Sequence, residues 1–419
     1  MKNITEQYFT EKLNQAGAKA YIVGGWVRDR LRGVTPHDKD YMVAGITEKA
    51  FIELFPQAQK VGRSFPVFLL TVDDRKCEIA FARKEQKTGE GYRGFAIVYD
   101  PQVSVEDDLY RRDTAMNSMA MELPGLLLHD PYGGADDVRQ QRIRAVSAHF
   151  CEDPVRALRA ARQAAEFGFT ITEETYRYMQ ACQEELAAEP AERLLNELRR
   201  ALAADRPSLF FRALAQAELL SATFPELAAL IGKTQPAAFH PEGDAFEHTM
   251  LVVDTVAAET DSILARFCAL VHDLGKGTTP RSMEPHHYGH EQRGLEVLHQ
   301  WNARMTLPRD WLQGGLFVIR EHMRAPRLGK DPKIVDLLLS LDHSVLTVPE
   351  FQAVIRADHH SLPYYLEQAE VFLQAMKQIN GRDCPPGLMG KQIGEWIRNQ
   401  QLIGYRKVLI ESGISDKSC

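Results

Sequence analysis

Ala20-Tyr21-Ile22-Val23-Gly24-Gly25-Trp26-Val27-Arg28-Asp29, followed shortly by His37-Asp38-Lys39-Asp40-Tyr41-Met42-Val43, is the stretch whose reading decides the fold. Ala20–Val23 reads as a buried strand closed by the two glycines, and a helix is expected through Trp26–Leu31. Glycines at such a junction let the backbone approach a ligand closely. The free N–H groups that open the helix favour phosphate, and Arg28 adds a cation. A Gly-Gly before a helix also occurs as a plain turn, so the acids that follow carry the weight. In a strand, residues i and i+2 share a face, so Asp38 and Asp40 project together while Lys39 points away. Two neighbouring carboxylates repel unless a cation lies between them. Hard oxygen ligands suit Mg²⁺, which pairs with nucleotide phosphates, activates an attacking hydroxyl and stabilises a leaving pyrophosphate. Glu78, on a later apolar strand, offers a third carboxylate.

Outward from this stretch, Phe65–Leu70 and Cys77–Phe81 read as further strands, and Gly89, Gly91 and Gly94 mark a polar loop. From about Glu152 the pattern turns helical almost to the end. It is broken at Asp205-Arg206-Pro207, Gly232–Gly243 and Thr278–Pro285, and Thr234–Gly243 is the best linker candidate. The 419 residues suggest two or three domains. With 44% hydrophobic and 26% charged residues, disorder over most of the chain is excluded. No apolar run is long enough to span a membrane, and Met1–Glu6 lacks the apolar core of a signal peptide, so a cytoplasmic protein is expected. The six cysteines form no C-x-x-C pair, which argues against a zinc ribbon or a disulfide framework. Fifty Lys and Arg against 57 Asp and Glu give a net charge of −7, so any nucleic acid is bound by a local surface and not by general basicity.

Two further clusters carry chemistry. Glu152-Asp153-Pro154-Val155-Arg156-Ala157-Leu158-Arg159-Ala160-Ala161-Arg162 opens a helix with acids and proline, and its arginines share one broad face. A solvated charged face is the plain reading. The sharper one pairs an Asp acceptor with an Arg donor, matching the amino-plus-acceptor edge of cytosine and adenine and rejecting guanine and uracil. In the second half, Phe246-Glu247-His248-Thr249 opens a helix, and the apolar helix through Phe267–Asp273 is expected to end at Gly275. His286, His287, His290 and His322 follow, then Ala357-Asp358. Imidazole and carboxylate groups from separate helices suit a divalent metal.

The Gly24-Gly25-x-Val27-Arg28-Asp29 and Asp38-x-Asp40 pair resembles the signature of the polymerase-β-like nucleotidyltransferase superfamily, in its CCA-adding branch. Asp108-Leu109-Tyr110-Arg111-Arg112-Asp113-Thr114-Ala115-Met116-Asn117 is similar to that family's Arg-Arg-Asp segment. It departs from it at Thr114-Ala115, where an apolar residue and Thr are usual. Glu152-Asp153-x-x-Arg156 is similar to the protein-templating motif of class II CCA-adding enzymes, Glu192–Leu198 to the next helical motif, and the loop Gly89-x-Gly91-Tyr92-Arg93-Gly94-Phe95 also matches. His248, His272-Asp273 with Leu-Gly-Lys-Gly after it, and Asp358 resemble the HD-domain metal phosphohydrolases.

The resemblance implies an α+β architecture: an N-terminal nucleotidyltransferase domain with a mixed sheet and helices (1–140), then all-α parts. These are a nucleotide-selecting neck (141–233), an HD domain (234–360) and a C-terminal tRNA-contacting region (361–419). It implies catalysis by Asp38, Asp40 and Glu78 with Mg²⁺ on Asp38 and Asp40. Gly24, Gly25, Arg28 and Arg112 would hold the triphosphate, Asp153 and Arg156 would select the base, and Arg159 and Arg162 would reach the nucleotide. The HD ligands would be His248, His272, Asp273 and Asp358, around a transition metal or Mg²⁺/Mn²⁺. The implied reaction is addition of C, C and A from CTP and ATP to the tRNA 3′ end, beside HD phosphohydrolysis of monoesters or 2′,3′-cyclic phosphates. The expected partners are the tRNA acceptor arm and the two nucleotides, with no DNA or membrane, and the chain a monomer or homodimer. CC-only or A-only addition, poly(A) synthesis, and an HD phosphohydrolase with a merely nucleotide-binding first half remain the alternatives.

Overall fold

A computed structural model of the chain describes residues 4–36, 38–61, 66–87, 89, 95–238, 240–379 and 381–412. Gly91, Tyr92, Arg93 and Gly94 of the matching loop, and His37, lie outside the described residues. The chain forms two compact units: Met1–Glu197 with Leu209–Thr223, and Leu198–Ser208 with Phe224–Cys419.

In the first unit the strands, in chain order, are β1 (Lys19–Val23), β2 (Asp40–Ala44), β3 (Gln59–Val61), β4 (Val67–Val72), β5 (Arg75–Phe81), β6 (Lys84–Lys87), β7 (Phe95–Val98), β8 (Ala120–Glu122) and β9 (Leu127–His129). Seven of them form one sheet in the order β3-β4-β5-β2-β1-β8-β9, and β6 with β7 makes a separate hairpin. Every pairing in the large sheet is antiparallel except β2 with β5, which is parallel. The expected strands are present with shifted ends. The one expected at Phe65–Leu70 runs Val67–Val72, and β2 begins at Asp40, leaving Asp38 in the extended segment before it.

Alternation along the strands sorts the faces. One face is closed by fully buried Phe9, Phe51, Phe55 and Phe68 with nearly buried Phe81, whose rings meet 5.0–5.4 Å apart along the series. Each such ring stabilises the unit by roughly 1.5–3 kcal/mol through burial. The other face buries Tyr21, Val23 and Met42 against Val105 and Leu109 of the helix Val105–Tyr110. Asp40 lies on this second face, because it pairs in register with Val23.

The second unit packs the helices Ala245–Glu259, Ile263–Val271, His290–Met305, Arg309–Glu321 and Val348–His359. Phe267 stacks on Trp311 at 4.5 Å and meets Trp301 edge-on. Two sequence expectations are corrected here. The apolar helix ends at Val271, capped by His272, and not at Gly275. Gly275 is a packing glycine: a Cβ there would fall 1.9 Å from the His290 carbonyl oxygen, so His290 reaches its position only past a bare backbone. Thr234–Gly243, read as a linker, is built into this unit by an antiparallel bridge from Thr234 to Asp244 and by the Gln235 N–H donating to the Gly243 carbonyl. A further exception to helicity after residue 140 is the short parallel pair Arg142–Ile143 and Thr170–Ile171. Among the described residues no helix is long and apolar enough to cross a membrane.

Candidate active sites

The first site stands at the β1–helix junction. Gly24 adopts φ +70°, and a Cβ on it would lie 3.2 Å from the Arg112 guanidinium. Glycine is therefore required twice, by the backbone and by the arginine crossing over it. Arg112 is anchored by the buried Asp108 carboxylate at 2.9 Å, and Arg111 grips the other oxygen of that carboxylate at 2.6 Å. Arg28 donates from Nε and Nη2 to Asp29 and from Nη1 to Asn117 at 2.8 Å, while its plane covers Phe167 at 4.4 Å. Asn117 in turn donates to Asp113. Arg28 and Arg112 are thus fixed on either side of Gly24-Gly25 before any ligand arrives.

The parallel register sets Asp40 directly against Glu78 on β5. Partial desolvation of the Asp40 carboxyl, then Glu78 and Asp38, raise its pKa, with Arg112 working the other way. Lys39 points to the opposite face, where its ammonium meets Glu6 at 2.6 Å and Tyr41 donates to the same carboxylate. A cavity of about 590 Å³ at this end of the sheet is lined by Asp38, Asp40 and Glu78 and, from the opposite face, by Lys39, Tyr41 and Cys77. Among the described residues these three carboxylates do not form a group whose oxygens all lie within 4.8 Å of one another. The donor set, three carboxylates sharing a cavity, fits a hard divalent ion.

The arginine helix runs Val155–Phe167. Asp153 and Arg156 are neighbours in sequence but bond elsewhere. Both oxygens of Asp153 accept from Arg193 at 2.9 and 3.0 Å, and Arg156 donates to the His149 carbonyl at 2.7 Å. Arg162 is held between Glu197, at 2.5 Å, and Glu166. Arg159 keeps the most exposed side chain of the three arginines, 42% against 7% and 6%, and lies 3.7 Å from Glu197. Burial would raise the pKa of Asp113, but Arg159, Asn117, the Thr114 N–H and Arg156 bring it below the ordinary range. The Glu192–Leu198 segment therefore supplies both clamps, Arg193 and Glu197, that set this helix.

The Thr114-Ala115 departure has a local explanation. The buried Thr114 hydroxyl bonds Gln163 of the arginine helix at 3.1 Å, tying the two motifs together. Thr114→Val is expected to leave the buried Gln163 amide short of a partner and to cost about 1–3 kcal/mol in urea unfolding. A change below 0.5 kcal/mol would show that the bond does not couple the segments.

The second site is a buried cluster in the helical unit. His248, His272, Asp273, His290, His322 and Asp358 are each at most 8% exposed. The Asp273 carboxylate is central: Oδ2 lies 3.2 Å from His272 Nε2 and 3.7 Å from His248 Nε2, and Oδ1 lies 3.2 Å from His290 Nε2 and 3.5 Å from His322 Nε2. Asp358 Oδ1 completes the first half at 3.1 Å from His248 Nε2. Two ligand groups result, sharing Asp273.

The ring orientations test whether metal belongs there. Nδ1 of His272, His290 and His322 faces the carbonyls of Ala269, His287 and Ile319, and Nδ1 of His248 faces Glu242 at 2.7 Å. A carbonyl only accepts, so in a neutral ring Nδ1 carries the proton and Nε2 turns a lone pair inward. In the neutral rings those lone pairs converge on the Asp273 carboxylate, which Lys276 also reaches at 2.5 Å. Lone pairs facing carboxylates are stable around a cation, so the residues fit a divalent metal with carbonyl and carboxylate partners behind the ligands. Glu242→Gln is expected to weaken metal binding about 10–100-fold in a competitive titration; an unchanged affinity would remove Glu242 from the ligand support. Burial works to lower the pKa of His272, yet Asp273 and Asp358 push it up to about 9. Metal must therefore displace a proton, and its affinity should rise with pH up to about 9. Calorimetry in buffers of different ionisation enthalpy should report about one proton released.

His290 and His322 follow the His-Asp pair in sequence but stand outside the expected ligand set, and here they join Asp273, while Glu242 and Gln235 are partners that no motif names. Gly275 and Gly289, flanking the approach to His290, are the signal that was present. Nothing in the spacing marks Glu242.

The fold and the two centres define the class: a polymerase-type nucleotidyltransferase head joined in one chain to an HD domain. Residues 20–144 match the Poly A polymerase head domain, 168–231 the probable RNA and SrmB-binding site of polymerase A, and 244–341 the HD domain. The multifunctional CCA protein of Shewanella denitrificans is 44% identical over 73% of this chain and 74% of its own length. That of Xylella fastidiosa is 39% identical over 95% and 98%. This chain belongs to the multifunctional CCA protein family. The fold is also similar to the Bacillus stearothermophilus CCA-adding enzyme in complex with CTP (TM-score 0.58, 21% identity, 96% and 91% covered). It is similar as well to the Thermotoga maritima CCA-adding enzyme complexed with tRNA (TM-score 0.59, 20% identity, 96% and 93% covered).

Proposed function

We propose that this protein adds C, C and A to the 3′ end of tRNA from CTP and ATP, and that its HD centre is a separate phosphohydrolase. The observation that carries the first part is the register of Asp40 against Glu78, with Asp38 just before the strand and Gly24-Gly25 beside it. Asp38 and Asp40 would hold Mg²⁺, which would supply hydroxyl activation and charge neutralisation. Gly24, Gly25, Arg28 and Arg112 receive the triphosphate, so that its α-phosphorus faces the tRNA 3′-hydroxyl in line. The hydroxyl oxygen bonds to that phosphorus and gives up its proton to solvent, the bond to the β-phosphate oxygen breaks, and pyrophosphate leaves. Asp153 and Arg156 face the base. Arg193 and the His149 carbonyl pin them without exhausting them, because a carboxylate has about four lone-pair sites and a guanidinium five N–H donors. Arg159, the more exposed arginine, reaches the nucleotide; Arg162 holds the helix through Glu197 and contributes to the same face. The helical parts take the tRNA acceptor arm by shape and phosphate contacts.

At the HD centre, His248, His272, Asp273 and Asp358 would hold one divalent ion, and the second group of Asp273, His290 and His322 offers ligands for another. Ions so held supply a water nucleophile and neutralise a phosphate. The phosphorus–oxygen bond to ribose breaks and the ribose oxygen takes up a proton. The test is phosphate release from 3′-phosphorylated RNA ends, and ring opening to a phosphomonoester at 2′,3′-cyclic ends, with Mg²⁺, Mn²⁺, Ni²⁺ and Zn²⁺ in turn. One or both products with at least one ion are expected; neither with any ion, in folded protein, would refute the HD reading.

A further inference from the structure

A cavity of about 430 Å³ lies over the HD centre, lined by buried Gln235, Lys276, His290 and Asp358 and by exposed His286, Tyr288 and Arg327. Three of its features are left unused by metal binding. The Gln235 side chain is 5% exposed, its oxygen accepts from Lys276 at 2.5 Å, and its amide nitrogen has no hydrogen-bond partner. A buried, unsatisfied donor beside an ammonium suits an anionic oxygen. At the mouth, Tyr288 is 70% exposed and stacks on His286, rings 5.5 Å apart and 22° from parallel. An exposed aromatic pair lining the same cavity as that donor has the form used to stack a nucleobase. Arg327 adds an exposed cation to the lining.

We propose that Tyr288 and His286 form a base-stacking platform, and Gln235 with Lys276 a phosphate-oxygen clamp, that together select a nucleoside phosphate over a simple phosphate ester at the HD centre. This rests on the phosphohydrolase reading of that centre. Tyr288 and His286 act on specificity, through binding of the base, and not on bond breaking. The chemistry is unchanged: water adds to phosphorus, the ribose oxygen leaves with a proton, and inorganic phosphate departs.

The test uses the full chain loaded with divalent metal and two probes, adenosine 3′-monophosphate and glycerol 2-phosphate. The ratio of kcat/KM for the nucleotide to that for the glycerol ester should fall about tenfold in Tyr288→Ala, through KM, and return in Tyr288→Phe. A ratio within twofold of wild type in Tyr288→Ala would overturn the platform. An independent readout is the fluorescence of Tyr288→Trp, taken as the difference from wild type with its four native tryptophans. Adenosine 3′-monophosphate should quench it and glycerol 2-phosphate should not; equal responses would also overturn the proposal. If the loaded protein hydrolyses neither probe, the monoester part of the phosphohydrolase reading fails, and the fluorescence difference still decides the platform.

Discussion

Asp273→Ala is expected to lower phosphate release at the HD centre at least about 10³-fold while leaving nucleotide addition within twofold of wild type. The size follows from position. Asp273 is the carboxylate shared by both ligand groups, so its loss removes a negative ligand from each. Charge stabilisation by such ions is worth several kcal/mol, and every 1.36 kcal/mol is a factor of ten in rate. Lys276, paired with Asp273 at 2.5 Å, would also lose its carboxylate. Metal content by mass spectrometry should fall in parallel with activity. Full metal content with lost activity would instead assign Asp273 a role in proton handling.

Asp38→Ala is expected to do the reverse, lowering CTP incorporation at least about 10³-fold and sparing phosphate release. Asp38 is exposed and precedes β2, so no packing is lost and the fold should survive. CTP binding should weaken far less than turnover, because Gly24, Gly25, Arg28 and Arg112 remain in place. Loss of both activities in folded Asp38→Ala or Asp273→Ala protein would contradict two independent sites.

What the sequence made legible is whatever is written in adjacent residues. Gly24-Gly25, Asp38-x-Asp40 and His272-Asp273 each state a local geometry, and the structure places each at a strand–helix junction, a strand start or a helix end. Pairings between distant residues were not legible. Asp153 takes Arg193 from 40 positions away, and that choice depends on how the helix Ala191–Leu202 lies against the arginine helix. Gly275 misled for a physical reason: glycine both stops helices and admits close packing, and only the three-dimensional contact with His290 separates the two. The same limit hid Glu242, which is a ligand support only because Thr234–Gly243 folds back onto the helix that carries His248.

The most direct measurement is incorporation into a tRNA transcript ending at the discriminator base, with Mg²⁺ and CTP, ATP or both. Two residues added with CTP alone and three with both nucleotides is the predicted result. Addition that stops at CC, a requirement for a CC-ending primer before ATP is used, a long A tail, or no incorporation by folded protein would each contradict it.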